Sequence, residues 1–159
     1  MADMFMKVKD IPGESTDDKH KEWIELSSFS LGAMQAGSVA RSVGSSTSDS
    51  RVDFSDVGVS KVVDKASAKL LLACAKGTPI DEINFEFCRA SGDKSKYLDF
   101  KLEHVLVSSI QISGGGGVPS ESLSLKPGVI TKQYTQLDEK GKSKGDVKFK
   151  WSLIKNVGE

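Results

Sequence analysis

The chain has 159 residues, of which 38% are hydrophobic and 28% are charged. Lysines plus arginines and aspartates plus glutamates both total 22, so the formal net charge is zero. This balance argues against a protein that coats nucleic acid or inserts into an anionic membrane, because both attract an excess of positive charge. The composition is typical of a soluble globular protein, and we expect residues 1–159 to form one domain.

The first ten residues alternate apolar and charged side chains and contain no continuous apolar stretch. The pattern therefore predicts neither a signal peptide nor a segment of about 20 apolar residues that would span a membrane. We expect the protein to be made in the cytoplasm. In that reducing compartment, Cys74 and Cys88 are expected to be buried apolar thiols.

Residues 21–31 are rich in apolar and β-forming side chains but alternate less cleanly than the later segments, which fits a strand buried on both faces. Residues 32–58 follow, rich in Ser, Gly and Ala, with few large apolar side chains. A loop of this length is uncommon in a compact domain and is usually functional or disordered. We interpret it as a long extended loop that becomes ordered against a neighbouring molecule; a disordered surface loop is the alternative.

Residues 61–76 form the one segment with helical spacing. Its apolar face is predicted to contain Val62, Val63, Ala66, Leu70, Ala73 and Cys74. Ser60 is the predicted N-cap, Asp64 places negative charge near the helix start, and Gly77 followed by Pro79 predicts the end.

The remaining segments alternate with a period of two, which predicts half-buried strands at 83–87, 97–103, 123–125 and 147–153. Polar turns are predicted at 91–93 and 140–145, and a flexible connection at 114–120. A chain rich in strands with a single helix predicts a mainly β fold, either a barrel or a sandwich, with the helix as a plug.

The sequence contains no recognisable catalytic or metal-binding motif. His20 lies in a charged run and is predicted to be a solvated turn residue, whereas His104 is in phase with Leu102 and is predicted to be half-buried and hydrogen-bonded. Neither has a Cys or carboxylate at a usual ligand spacing, which argues against a zinc site. The glycines at 114–117 lack the following Lys and helix of a phosphate-binding loop. We therefore expect no enzyme activity, no cofactor and no metal.

Several segments, in order along nearly the whole chain, resemble the Hcp family of type VI secretion systems. The segment from Met4 to His20 contains Ile11-Pro12-Gly13-Glu14-Ser15, acidic residues and a histidine, similar to the N-terminal signature of the family. The similarity continues at 23–37, in the helical segment at 64–75, at 105–109 with the glycines at 114–117, and at 147–156, which includes Trp151 and Asn156.

The resemblance implies a two-sheet antiparallel β-barrel with one α-helix and a long extended loop. It also implies hexameric rings that stack into a tube, which a contractile sheath drives out of the cell with a VgrG-type spike protein at its tip. Small effector proteins would be carried in the lumen. Such a route would export a protein that has no signal peptide.

Within this picture we expect the long loop to contact the next ring through Arg41, Val43, Val52 and Phe54. Ser28 and Ser30 are candidates to face the lumen, because small polar side chains suit varied cargo; the alternative is a strand edge that leads into the loop. The alternative function is a free-standing β-barrel binding module, monomeric or dimeric, whose long loop captures a ligand or a protein.

Overall fold

The computed structural model describes residues 2–35, 52–90 and 93–158, which contain twelve strands and one helix. The strands are β1 (Ala2–Val8), β2 (Ile24–Leu26), β3 (Ser28–Ser30), β4 (Ala33–Gln35), β5 (Val52–Phe54), β6 (Val57–Val62), β7 (Ile80–Arg89), β8 (Lys96–Ser113), β9 (Ser120–Lys126), β10 (Val129–Leu137), β11 (Ser143–Ser152) and β12 (Val157–Gly158). The helix, α1, spans Ser67–Lys76.

Two antiparallel sheets share the long strand β8. Its first half pairs with β7 and β10, in a sheet of order β12-β11-β10-β8-β7-β1-β2. Its second half pairs with β9, and β6 joins β9 to β3. Strand β2 lies at the edge of the first sheet and β3 at the edge of the second. Only Ser27 separates them, so the chain passes directly from one sheet to the other at these edges. The predicted class, mainly β with two antiparallel sheets and one helix, is confirmed.

The core lies between the sheets and is built from every second residue of the strands. Phe29 of β3 contacts the rings of Phe85, Phe87 and Phe100, at centroid separations of 5.0, 5.1 and 4.9 Å. Other buried apolar residues are Met6, Ile24, Val57, Val59, Ile83, Leu102, Leu123, Leu125 and Ile130. The strands predicted at 83–87, 97–103 and 123–125 are therefore confirmed, with the expected faces buried.

The segment at 21–31 is divided between the two sheets and is not buried on both faces. Ile24 and Phe29 face the core, whereas Ser27 and Ser28 are both exposed. Two consecutive outward residues shift the alternation by one position where the chain changes sheets, and this shift hides the period-2 pattern in the sequence.

A similar shift occurs at His104, where β8 passes from one sheet to the other. Leu102 and Val105 are buried, while Glu103 and His104 between them are not. His104 has a φ of 53°, which is uncommon for a residue other than glycine. The prediction of a half-buried His104 is wrong, since the residue is exposed where the backbone takes this left-handed conformation.

The helix begins six residues later than predicted, at Ser67, because Val57–Val62 continues as strand β6 and pairs with β9. Ser60 is therefore not its N-cap, and Val62 and Val63 are exposed, outside the helix. Ala66 and Leu70 are buried as expected, and Gly77 ends the helix with a left-handed φ of 63°. Within the described residues, no helix is long and apolar enough to cross a membrane.

A buried ionic network holds the start of α1. The Lys61 ammonium lies 2.6 Å from Glu121 Oε2 on β9 and 3.0 Å from Asp64 Oδ1. It also donates to Ser67 Oγ, and the Ser67 hydroxyl donates to Glu121. Asp64 accepts a hydrogen bond from the amide of Ala66. Strand β6 therefore continues through position 61 because the side chain of Lys61 is satisfied inside the protein.

The period-2 pattern at 147–153 predicts that one face of strand β11 is buried, but Val147 and Phe149 on its apolar face are both exposed. The strand itself is confirmed and pairs with β10 from Val129↔Ser152 to Leu137↔Ser143. Its second neighbour, β12, pairs only with Trp151 and Ser152. Most of β11 therefore extends beyond the part of the sheet that covers the core.

Candidate assembly surfaces and a buried histidine cluster

The outer face of the second sheet is lined by serines. Ser28 pairs with Ser60, Ser60 pairs with Ser122, and Ser122 pairs with Gln111. The next row runs from Ser30 through Gly58 and Ser124 to Ser109. We call these eight positions the serine face.

The opposite side of the same four strands faces the core. Between its two rows lies the inward row Phe29–Val59–Leu123–Ile110, in register across the same four strands. The outward row members carry no charge and no large apolar side chain. A Cβ at Gly58 would lie 2.7 Å from Ser30 Oγ, so a larger residue there would require the Ser30 hydroxyl to rotate away.

Ser28 and Ser30, the predicted lumen residues, are both exposed on this face. The sequence reasoning missed Ser60, Ser109, Ser122 and Ser124. The alternation Ser122-Leu123-Ser124-Leu125 was a signal for two of them, but the register that aligns the four strands is not visible in the local sequence.

The four residues predicted for ring stacking fall at the long loop. Arg41 and Val43 lie outside the described residues. Val52 pairs with Gln35 where β4 and β5 form a two-stranded ribbon, so the segment predicted as loop includes short strands. Phe54 is half-buried, and its ring lies 6.5 Å from that of Phe149 and 6.4 Å from that of Trp151.

Two exposed apolar patches lie on different elements. The strand patch consists of Tyr134, Val147 and Phe149 on one face of the β10–β11 hairpin, and Val147 is 70% exposed. The helix patch consists of Leu71 and Leu72, which are consecutive exposed residues of α1, and Leu72 is 52% exposed. Clusters of exposed large apolar side chains often mark protein–protein contacts.

His20 is almost fully buried, at 1% exposure, and the prediction of a solvated turn residue is wrong. Its Nδ1 lies 2.7 Å from Asp17 Oδ2, and its Nε2 lies 2.6 Å from Glu86 Oε2 on β7. The ring stacks on Phe5 with a centroid distance of 4.1 Å, and Trp23 packs edge-on at 4.9 Å. The residue therefore ties the 9–23 segment to the first sheet.

Charged partners surround this histidine. Lys94 forms a short ion pair with Asp17, and its ammonium lies 3.7 Å from Asp3. Hydrogen bonds from Lys94 and from His20 lower the pKa of Asp17 to about 2. Lys96 lies 3.7 Å from the second carboxylate oxygen of Glu86.

Cys88 lies beside His20, with its Sγ 4.0 Å from Nε2. The order Cys88–His20–Asp17 has the composition of a cysteine nucleophile with its base and orienting carboxylate. Burial, aided by the charge of Glu86, raises the pKa of the Cys88 thiol to about 11, and Glu86 already occupies Nε2. A buried, protonated thiol is a poor nucleophile, so this arrangement disfavours catalysis.

Both Cys74 and Cys88 are free thiols, and Cys74 is half-buried.

Comparison with known proteins places these features in a family. Residues 5–134 match the family model described as "Type VI secretion system effector, Hcp". The chain is 32% identical to Protein hcp1 of Pseudomonas aeruginosa strain PAO1, over 98% of each chain.

Solved structures agree. One described as "Structure of a type six secretion system protein" is 35% identical and superposes with a TM-score of 0.91 over 100% of both chains. The crystal structure of Hcp1 from Salmonella typhimurium has the same fold, with a TM-score of 0.82 over 99% of both chains at 24% identity. The chain belongs to the Hcp family, the tube proteins of type VI secretion systems.

Proposed function

We propose that this protein assembles into hexameric rings that stack into the secretion tube, and that the serine face lines the lumen and carries small effector proteins. The observation that carries this proposal is the serine face itself, an uncharged surface of small side chains across four strands. Hydroxyls exchange hydrogen bonds readily with water and with cargo. The face lacks the large apolar groups that would retain a passing protein.

Ring closure by identical subunits requires two different patches that fit each other on each protomer. The strand patch and the helix patch come from separate elements, which supports this kind of interface. We propose that the strand patch of one subunit docks against the helix patch of the next. Strand β11 also presents a strand edge. On the side away from β10, its residues 143–149 pair with no strand in the part of the chain that the structure describes.

Two substitutions test this pairing. Val147→Glu and Leu72→Glu are each expected to give monomers in light scattering, near 17.1 kDa, where the unmodified chain gives a particle about six times larger. Each variant retains one intact patch. A mixture of the two variants should therefore form a heterodimer through the remaining pair of patches and should not form rings.

Lys148→Glu is the matched control, because Lys148 is the next residue on β11 and points to the opposite face. It is expected to leave rings intact. The proposed pairing would be refuted if the two glutamate variants remained hexameric, or if their mixture stayed monomeric. A monomeric or dimeric unmodified chain would instead favour the free-standing binding module.

Stacking is proposed to use the long loop. We place Arg41 and Val43 at the contact with the next ring, and Val52 at the base of the long loop. Phe54 packs toward Phe149 and Trp151 and would anchor the loop to its own subunit. Deleting residues 39–50 should leave rings intact and abolish tubes, and tubes of normal length from that variant in electron micrographs would refute this role.

The remaining partners follow from the proposed tube. A VgrG-type spike would cap it, a contractile sheath would surround it, and effectors would occupy the lumen. The protein would be made in the cytoplasm and secreted by this machine. We propose that the protein has no nucleic acid partner, does not insert into a membrane, uses no organic cofactor and has no enzymatic activity.

A further inference from the structure

Three potential metal ligands converge beneath the 9–23 segment. His20 Nε2, Glu86 Oε2 and Cys88 Sγ all lie within 4.8 Å of one another. Glu86 and Cys88 are two residues apart on β7 and point to the same side of the strand, away from Phe85 and Phe87 in the core. Imidazole, carboxylate and thiolate donors together are a set that suits Zn²⁺.

The surroundings of His20 match those of a metal-binding histidine. Such a histidine usually donates its other ring N–H to a carboxylate, which fixes the orientation of the ring. Here Asp17 Oδ2 lies 2.7 Å from Nδ1. Phe5 and Trp23 hold the ring from two directions, so Nε2 is fixed toward Glu86 and Cys88.

The distances lie on either side of those that zinc requires. Bonds of about 2.0–2.3 Å in a tetrahedral site separate pairs of ligand atoms by roughly 3.3–3.6 Å. The Nε2–Sγ distance of 4.0 Å is slightly longer, and the Nε2–Oε2 distance of 2.6 Å is shorter. Glu86 would have to draw back from Nε2 toward the solvent, to which its side chain is 26% exposed. An ion and a fourth ligand, water, would enter on this exposed side.

We propose that His20, Glu86 and Cys88 form a zinc site that fastens the 9–23 segment to β7. This departs from the expectation of no metal drawn from the sequence, where the ligands are 66 and 68 residues apart. The ion would replace the proton between His20 and Glu86 and the proton of the thiol. The negative charges of Asp17, Glu86 and the thiolate would offset its charge in the presence of Lys94 and Lys96.

Cobalt(II) titration of the full chain, stripped with a chelator, tests the proposal because a cobalt–thiolate bond has its own absorption band. We expect one equivalent of cobalt per chain, a thiolate band, and displacement by zinc. Cys88→Ser should abolish the band and Cys74→Ser should retain it. His20→Gln should weaken binding at least tenfold and His104→Gln should not. Asp17→Asn should weaken it roughly 10–100-fold.

These pairs of variants are matched, since the chain has two cysteines and two histidines in all. Circular dichroism establishes that each variant is folded. If His20→Gln fails to fold, the nearly isosteric Cys88→Ser decides. The absence of a thiolate band in the unmodified protein at millimolar cobalt would overturn the proposal and leave a hydrogen-bonded histidine. A band that survives Cys88→Ser would overturn it as well. Neither result depends on ring formation.

Discussion

The ammonium of Lys61 lies 2.6 Å from Glu121 Oε2, and the two residues are only 1% and 2% exposed. This ion pair joins β6 to β9, and Ser67 and Asp64 connect it to the start of α1. A charge buried this deeply is tolerated only while its partners are in place. The helix therefore begins where the network places it, although Ala66 offers no side-chain cap.

Lys61→Met is predicted to destabilise the protein by about 3–5 kcal/mol, because Glu121 would be left buried without its cation. Chemical denaturation measures the change. The double variant Lys61→Met/Glu121→Leu should recover much of the loss, since it removes both charges. Lys65→Met is the control, because Lys65 is an exposed neighbour whose pair with Glu22 should contribute less than about 1 kcal/mol. A Lys61→Met protein as stable as the Lys65→Met protein would contradict the prediction.

Gly13→Ala is predicted to lower stability by about 1–3 kcal/mol through overpacking. A Cβ at this position would lie 2.5 Å from the carbonyl oxygen of Trp23, which accepts a hydrogen bond from the Ser15 amide. The backbone of the 9–23 segment would have to move. Gly115→Ala, where a Cβ meets nothing within 4 Å, should be nearly neutral. Thermal unfolding of the two variants side by side tests the difference, and equal midpoints would argue against the close approach.

Lys94→Ala is predicted to change the acid stability of the protein. The pKa of Asp17 lies at about 2, below its ordinary 3.8, chiefly because of Lys94. A lowered carboxyl pKa stabilises the fold above pH 3.8, and this contribution is lost as the pH falls through about 2. Without Lys94 the pKa should rise, so the variant should be less stable near neutrality and lose less stability on acidification. Chemical denaturation of Lys94→Ala and of the unmodified protein at several pH values, with a chelator present to remove metal, measures the difference. Curves of unfolding free energy against pH that run parallel for the two proteins would contradict the prediction.

Ser60→Lys is predicted to leave ring size unchanged, because the serine face is proposed to line the open channel and not to contact another subunit. The six lysines around the lumen should instead alter which effectors remain bound. Light scattering reports the first effect and co-purification of effectors the second. Loss of rings in this variant would place the serine face at a subunit interface.

Local pattern predicted most of the fold. The alternation around Phe85, Phe100 and Leu123 identified strands and their buried faces, since it reports burial on one side of a sheet. It failed at Ser27 and at His104, where the chain changes sheets and the phase shifts by one residue. It also failed for β11, because alternation does not reveal that Val147 lies beyond the core.

The functional surfaces were less accessible to sequence reasoning. His20 looked solvated because its neighbours are charged, while its partner Glu86 is 66 residues away. The local pattern placed Lys61 at the start of the helix, because it gave no sign that Glu121, 60 residues away, is the buried partner of Lys61. The serine face required a register across four strands, of which Ser28 and Ser30 were the part visible locally. The single-domain assignment of 1–159 and the roles of Arg41 and Val43 stay predictions.

Electron cryomicroscopy of the purified, assembled protein tests the central claim most directly. We predict a six-fold ring with an open channel lined by the serine face, in which the strand patch of each subunit contacts the helix patch of the next. A particle without a channel, or a ring whose channel is lined by another face such as the lysines of β11, would contradict it.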